Sequence, residues 1–252
     1  MKDEKIIRRL HTGTSGWIYG HWAGIFYPED IKPAGYLEYY TTKFGCVELN
    51  ASFYHVPFKA TVEGWVRRTP ETFRFCPKLS RLVTHRKRLV DCAEPLGWYF
   101  DVFREMTPRL GPVLVQLPPG LAFDKPLFSD FLSLLHALAG GYRFAIEARH
   151  QSWIADESFS LLEQYGAAWV IADSGRRFPY QEAITADFVY LRFHGHESLY
   201  SSDYPDHELW RYAEKIRQWL DNGCEVWVFF NNDFNGYAVK NALKLEEMVN
   251  TI

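Results

Sequence analysis

The chain has 252 residues, with 28 Lys+Arg against 31 Asp+Glu and a formal net charge of −3. Hydrophobic residues make up 47% and aromatic residues 17%, which excludes an intrinsically disordered chain. No surplus of positive charge exists to release counterions from phosphates, so a dedicated duplex-DNA binder is disfavoured.

The N-terminal MKDEKIIRRL carries charges but no apolar run or small-residue cleavage site, so no secretory signal is expected there. The first expected strand is Arg8–Gly13, followed by a loop rich in rings: Trp17, Tyr19, Trp22, Phe26 and Tyr27. Helix Ala34–Phe44 and Gly45 lead to strand Cys46–Asn50, then Phe53, Tyr54 and His55 in a loop. Helix Thr61–Arg68 precedes strand Phe73–Lys78, and helix Leu96–Leu110 precedes strand Val113–Leu117. Helix Leu127–Ala139 precedes strand Arg143–Ala148, and helix Asp156–Tyr165 precedes strand Ala168–Asp173. Between Asp173 and strand Phe188–His194 lies SGRRFPYQEAITAD, which has no helical periodicity. Helix Glu208–Asn222, strand Glu225–Asn231 and helix Tyr237–Val249 close the series. Gly45, Gly140, Gly166 and Gly223 each follow a helical run and suit a left-handed position, and Asp206 suits an N-cap.

Eight strands alternating with helices imply an α/β fold of the TIM-barrel-like (β/α)8 type, with the sixth helix reduced or missing. An open doubly wound sheet is the second possibility, weakened by the lack of a glycine-rich phosphate fingerprint after the first strand. The elements use nearly all of the chain, so residues 1–252 are expected to form one domain. No stretch is apolar for long enough to span a bilayer. Cys46, Cys76, Cys92 and Cys224 are too far apart for a zinc or thioredoxin-like spacing. Reduced thiols and a cytoplasmic location follow as expectations.

A barrel carries its chemistry at the C-terminal strand ends. Seven of the eight expected ends hold a residue that ionises or donates a strong hydrogen bond. Glu48 and Glu147, on the second and fifth strands, are acid–base candidates. Such a pair also serves glycoside hydrolysis, without being specific to it. Lys78 and His194 join them as catalytic candidates. Arg149, Arg192, Gln116, Asp173, Asn231, Asn232, Trp17, Tyr54 and His85 are candidates for substrate binding. The opposing reading of any one of them is an internal ion pair that fixes the barrel. For Trp22, Phe26 and Tyr27 it is a loop folded back as a plug. Metal chemistry has a weaker basis. His194-Gly195-His196 resembles an HxH pair, but Arg192, Arg149 and Lys78 at the same mouth oppose a divalent ion, so no metal and no cofactor are expected. The loops after the seventh and eighth strands, with Gly236 opening a helix, suit an anion. Ser15 and Ser52 lack a nucleophile-elbow sequence.

HTGTSGWIYGHWAGIFYP, ELNASFYHVP, FCPKLSRLVTH, LVQLPP, IEARHQSW, TADFVYLRFHGH and FFNNDFNGYAVKNAL, in this order, resemble the YecE-like family. The resemblance covers nearly the whole chain. It implies a TIM-barrel-like fold and supplies no established reaction. Matching positions include Gly16, Trp17, Glu48, Phe53, Tyr54, Lys78, Thr84, His85, Gln116, Glu147, Arg149, Trp153 and Asp173. They continue with Arg192, His194, Gly195, Asn231, Asn232, Gly236, Asn241 and Ala242. His196 stands where the family usually has Arg. The expected partner is a polar, anionic small molecule such as a phosphorylated sugar or nucleotide fragment. No membrane partner is expected, and the oligomeric state is left open. A non-catalytic binding protein on the same scaffold and a metal-assisted hydrolase are the alternatives.

Overall fold

The computed structural model describes residues 9–252. The N-terminal signal reading, and Arg8 of the first expected strand, fall on residues 1–8, outside those described. Eight short parallel strands form where expected: β1 Leu10–Thr14, β2 Cys46–Leu49, β3 Arg74–Pro77 and β4 Val113–Gln116, then β5 Phe144–Glu147, β6 Ala168–Asp173, β7 Phe188–Phe193 and β8 Glu225–Phe230. Helices pack outside them: α1 Tyr36–Tyr40, α2 Ala51–Tyr54, α3 Lys59–Arg67, α4 Ala93–Phe103, α5 Lys125–Ala139, α6 Asp156–Gln164, α7 Asp206–Asp221 and α8 Tyr237–Thr251. In α7, Leu209, Tyr212, Ala213, Ile216 and Leu220 recur at helical spacing and form its buried face.

The expected continuous barrel is corrected. The hydrogen-bonded ladder is an open six-stranded sheet, β1-β8-β7-β6-β5-β4, beside a separate pair, β2-β3. Each break has a local cause. Between β1 and β2 a side chain replaces the ladder: Thr14 N–H donates to the Tyr40 hydroxyl at 2.9 Å, and that hydroxyl donates to Cys46 O at 3.1 Å. The approach is so close that a Cβ on Gly13 would sit 2.4 Å from Cys46 O. Between β3 and β4 only isolated bridges form, Phe75↔Leu110 and Lys78↔Leu114. Their offsets differ by one residue, and Pro77 and Pro112 bring no N–H to that edge.

The segment between β6 and β7 contains no helix, as its sequence suggested. It is pinned instead by Thr185, whose hydroxyl accepts from Trp169 N–H at 2.8 Å and donates to Ala167 O at 2.7 Å. The expected helix over 96–110 stops at Phe103 and continues as a 3-10 turn, Arg104–Arg109, around Pro108. Gly166 and Gly223 take positive φ, 59° and 96°, as expected, whereas Gly140 stays right-handed at φ −61°. Asp206 is the first residue of α7 and makes no cap. Pro205 precedes it, and its carboxylate pairs with Lys244.

The strand interior is a compact apolar cluster that includes Cys46, Cys76, Leu114, Ala145, Val170, Ala172, Tyr190, Trp227 and Phe229. Side chains on a strand alternate faces, so the residues two places on from these also point inward. Among them are Glu48, Lys78, Gln116, Glu147, Arg192 and Asn231. The fold thus places a polar layer on an apolar floor at the C-terminal end of the strands.

Candidate functional site

The lower part of this layer is a sealed ion cluster. Arg192 is fully buried and forks onto Glu48, with Nη2 to Oε1 at 2.7 Å and Nε to Oε2 at 2.9 Å. Its Nη1 donates to Glu147 Oε2 at 2.6 Å. Ser15 and Tyr190 hydroxyls fill the remaining lone pairs of Glu48, at 2.8 and 2.9 Å. Glu147 Oε1 accepts from Arg149 Nη2 at 2.7 Å and faces His194 Nε2 at 2.9 Å. Burial opposes ionisation of Glu147, but Arg149 and Arg192 outweigh it and hold the carboxyl well below its usual range. Burial likewise opposes the charge on Arg192, and Glu147 with Glu48 more than restores it.

His194 is buried and neutral. Burial and the adjacent Arg192 push its pKa down to about 4. Asn231 Nδ2 donates to its Nδ1 at 3.2 Å, so the ring hydrogen lies on Nε2, toward Glu147.

The upper part is open. A cavity of about 710 Å³ is lined by Tyr19, Asn50, Phe53, Tyr54, Lys78, Arg81, His85, Arg86, Gln116, Arg149, Tyr200, Asn231 and Asp233. Lys78 sits on its wall, only 8% exposed. Its Nζ donates to the neutral amide oxygen of Gln116 at 2.7 Å and lies 4.2 Å from the centre of the Phe53 ring. Burial, reinforced by the charge on Arg192, lowers its pKa to about 7. Glu147 and Glu48 pull it back up only in part, being already matched to Arg149 and Arg192. Arg149 lies with its guanidinium carbon 3.4 Å from the centre of the Phe178 ring, and its buried Nε has no hydrogen-bond partner. His85 accompanies them with a pKa pushed down to about 4, by burial and then by Lys78.

The expected site residues therefore separate. Lys78, Gln116, Arg149, Asn231, Tyr54 and His85 share the cavity. Glu48, Glu147, Arg192 and His194 lie beneath it, and Glu48 keeps no lone pair for a substrate proton. Asp173 leaves the mouth altogether. It shares the helix-facing side of β6 with Ile171, accepts from Tyr212 of α7 at 2.7 Å, and lines a different pocket of about 360 Å³. Asn232 is buried on the helix side, donating to Asn241 Oδ1 and Ser202 O, both at 2.9 Å. It secures α8 and the loop after β7. Trp17 is 6% exposed and packs edge-on against Trp65, so it belongs to the core. Trp22 and Tyr27 are buried in the folded-back loop, with Tyr27 stacked on Tyr36 at 3.7 Å.

The HxH pair does not form. Gly195, at φ +97°, turns the chain, so His196 faces Asp173 while His194 faces inward. Among the described residues no three His, Cys, Asp or Glu side chains gather as a metal-ligand set. Arg81, Phe178 and Tyr190 were missed in the sequence, and Ser15 was weighed there only as a nucleophile. Tyr190 carried a usable signal, standing two residues before Arg192 on the same face. Phe178 carried none, since it lies in the segment without periodicity.

The profile described as "Protein of unknown function DUF72" matches residues 11–252. The chain belongs to this family. Among relatives of DUF72, the UPF0759 protein YunF of Bacillus subtilis is 26% identical over 270 residues, covering 95% of this chain and 94% of YunF. The UPF0759 protein YecE of Escherichia coli K12 is 28% identical over 170 residues, covering 66% of this chain and 59% of YecE. These relatives bear out the YecE-like resemblance. The crystal structure of a DUF72 protein from Thermotoga maritima superposes with a TM-score of 0.84 at 31% identity, covering 95% of this chain and 98% of that one. One from Enterococcus faecalis, at 21% identity, shares the fold with a TM-score of 0.80 over 96% of this chain and 95% of its own. Among the described residues of this DUF72 chain, no helix is long and apolar enough to cross a membrane.

Proposed function

We propose that the protein is an enzyme acting on a small anionic molecule held in the cavity above Arg192. Phosphorylated sugars and nucleotide fragments are members of that class. Lys78 is its reacting amine and Arg149 its anion anchor. One observation carries the reading: an amine with a pKa near 7 borders a cavity of about 710 Å³ whose other charged walls are mainly Arg81, Arg86 and Arg149. Glu48 and Glu147 hold the two arginines in place, so the acid–base work expected of them passes to Lys78. Asn231 orients His194 and thereby Glu147. The same proposal places the protein in the cytoplasm, supported by four cysteines that are all unpaired.

Titration calorimetry with inorganic phosphate and a panel of sugar phosphates tests it. Arg149→Met should weaken anion binding by about tenfold or more, the loss of one charge-assisted contact. Lys78→Met should abolish turnover of any substrate found. Anion affinity that is undetectable in the wild type, or unchanged in Arg149→Met, would sink the proposal. Binding without turnover of any panel member would favour a non-catalytic ligand-binding protein.

A further inference from the structure

We propose that Lys78 is a nucleophile toward 2-oxo acids, forming an imine with a carbonyl carbon that bears an adjacent carboxylate. This rests on the anion-cavity reading and narrows its substrate class.

The geometry begins at Gln116. Its Oε1 accepts from Lys78 Nζ at 2.7 Å and from Arg149 Nη2 at 3.4 Å. Together these distances bound the two nitrogens at about 6 Å apart. A carboxylate on Arg149 would therefore leave the next carbon of the ligand beside Lys78. Few anions offer an electrophile at that spacing, and a 2-oxo acid does. Arg149 lines the cavity together with Lys78 and Gln116. The Phe53 ring at 4.2 Å and the Phe178 ring under Arg149 keep the two cations against aromatic faces, away from bulk water.

The chemistry balances without an oxidant. The lone pair of Nζ attacks the carbonyl carbon and a C–N bond forms, while the carbonyl oxygen takes a proton. The nitrogen gives up its two hydrogens as protons, one at each stage, and the hydroxyl leaves as water after taking the second of the two protons that the oxygen gains. The products are an imine and water. The reaction needs the unprotonated amine, which Lys78 holds in quantity near pH 7. The titratable and charged groups facing it are Glu48 from β2, Glu147 from β5, Arg149 just beyond β5, Arg192 from β7, Arg81, His85 and Arg86 from the segment after β3, and Asp233 from the loop after β8.

Glyoxylate with sodium cyanoborohydride at pH 7 is the test, read by peptide mass spectrometry. Lys78 should gain a carboxymethyl group about tenfold or more faster than the exposed Lys32, Lys43 and Lys240. Oxalate, which matches the anion but forms no imine, should suppress that labelling, and its affinity is measured separately by calorimetry. If oxalate binds and Lys78 is labelled no faster than the surface lysines, the imine proposal is overturned while the anion cavity stands. If Lys78 is labelled fast but oxalate neither binds nor competes, the 2-oxo acid assignment and the anion cavity both fall. Wild-type protein suffices for every arm, and Lys78→Met, if folded, should lose only the fast labelling.

Discussion

Arg192 is the residue on which the polar layer depends. It satisfies two buried carboxylates, Glu48 of β2 at 2.7 Å and Glu147 of β5 at 2.6 Å. A buried pair adds little net stability over an apolar replacement, yet removing one member strands the other. Arg192→Met leaves Glu48 buried with no cation beside it and Glu147 with Arg149 alone, so it should cost about 3–5 kcal/mol in urea-melt stability. Arg192→Lys should not rescue it, because a single ammonium cannot fork onto Glu48 and still reach Glu147. The double variant Glu48→Gln, Arg192→Met removes the stranded charge, keeps the Glu147–Arg149 pair and should recover part of the loss. A double variant no more stable than Arg192→Met would show that the cluster does not work through paired charges.

Among the elements, the pair β2-β3 stands apart from the six-stranded sheet, and one phenol bridges the break. Tyr40 belongs to α1, so a helix side chain completes the strand contact between Thr14 and Cys46. Tyr40→Phe leaves a buried amide and a buried carbonyl unpaired, at a cost of about 1–3 kcal/mol. Hydrogen exchange should show the Thr14 amide losing protection while the β7-β8 amides keep theirs. Equal loss across all strands would mean that the phenol is not a local clasp. The strands themselves were legible in the sequence because each is a short run of branched and aromatic residues between turn signals. The open ladder was not legible. It depends on a tyrosine hydroxyl reaching across space and on a one-residue offset between β3 and β4, and neither leaves a periodic trace. The missing helix after β6 was legible because its segment lacks any helical pattern.

Across the whole molecule, near neutrality hides a sorted interior, and strand alternation decides which polar residues belong to it. Glu147 and Arg149, Arg192 and His194, and Asn231 share parity with the inward apolar residues of β5, β7 and β8. Asp173 and Asn232 have the opposite parity and face the helices. Strand-end position alone grouped them all together, and counting faces would have separated these two. Three groups of the polar layer titrate with one sign. Lys78 is held down to about 7, His194 to about 4, and Glu147 well below its usual range. In each case the unfolded chain binds more protons than the folded one between the two pKa values, so stability rises with pH there. Protein stability should therefore climb through the carboxylate range, again from about pH 4 to 6.5, and again above about pH 7 as Lys78 sheds its proton. From about pH 9 upward the rise is opposed, because burial raises Cys46 and Cys76, then Tyr40, Tyr190 and Tyr204, and the unfolded chain loses those protons first. The maximum should thus lie on the alkaline side of neutrality. Lys78→Met should be more stable than wild type at pH 7 and show a flatter curve from there to pH 10. A bound anion should flatten the wild-type curve in the same window, because it favours the protonated amine. Urea melts across pH, with and without oxalate, would expose the error if the wild-type curve peaks near pH 6 or if Lys78→Met leaves its alkaline limb unchanged.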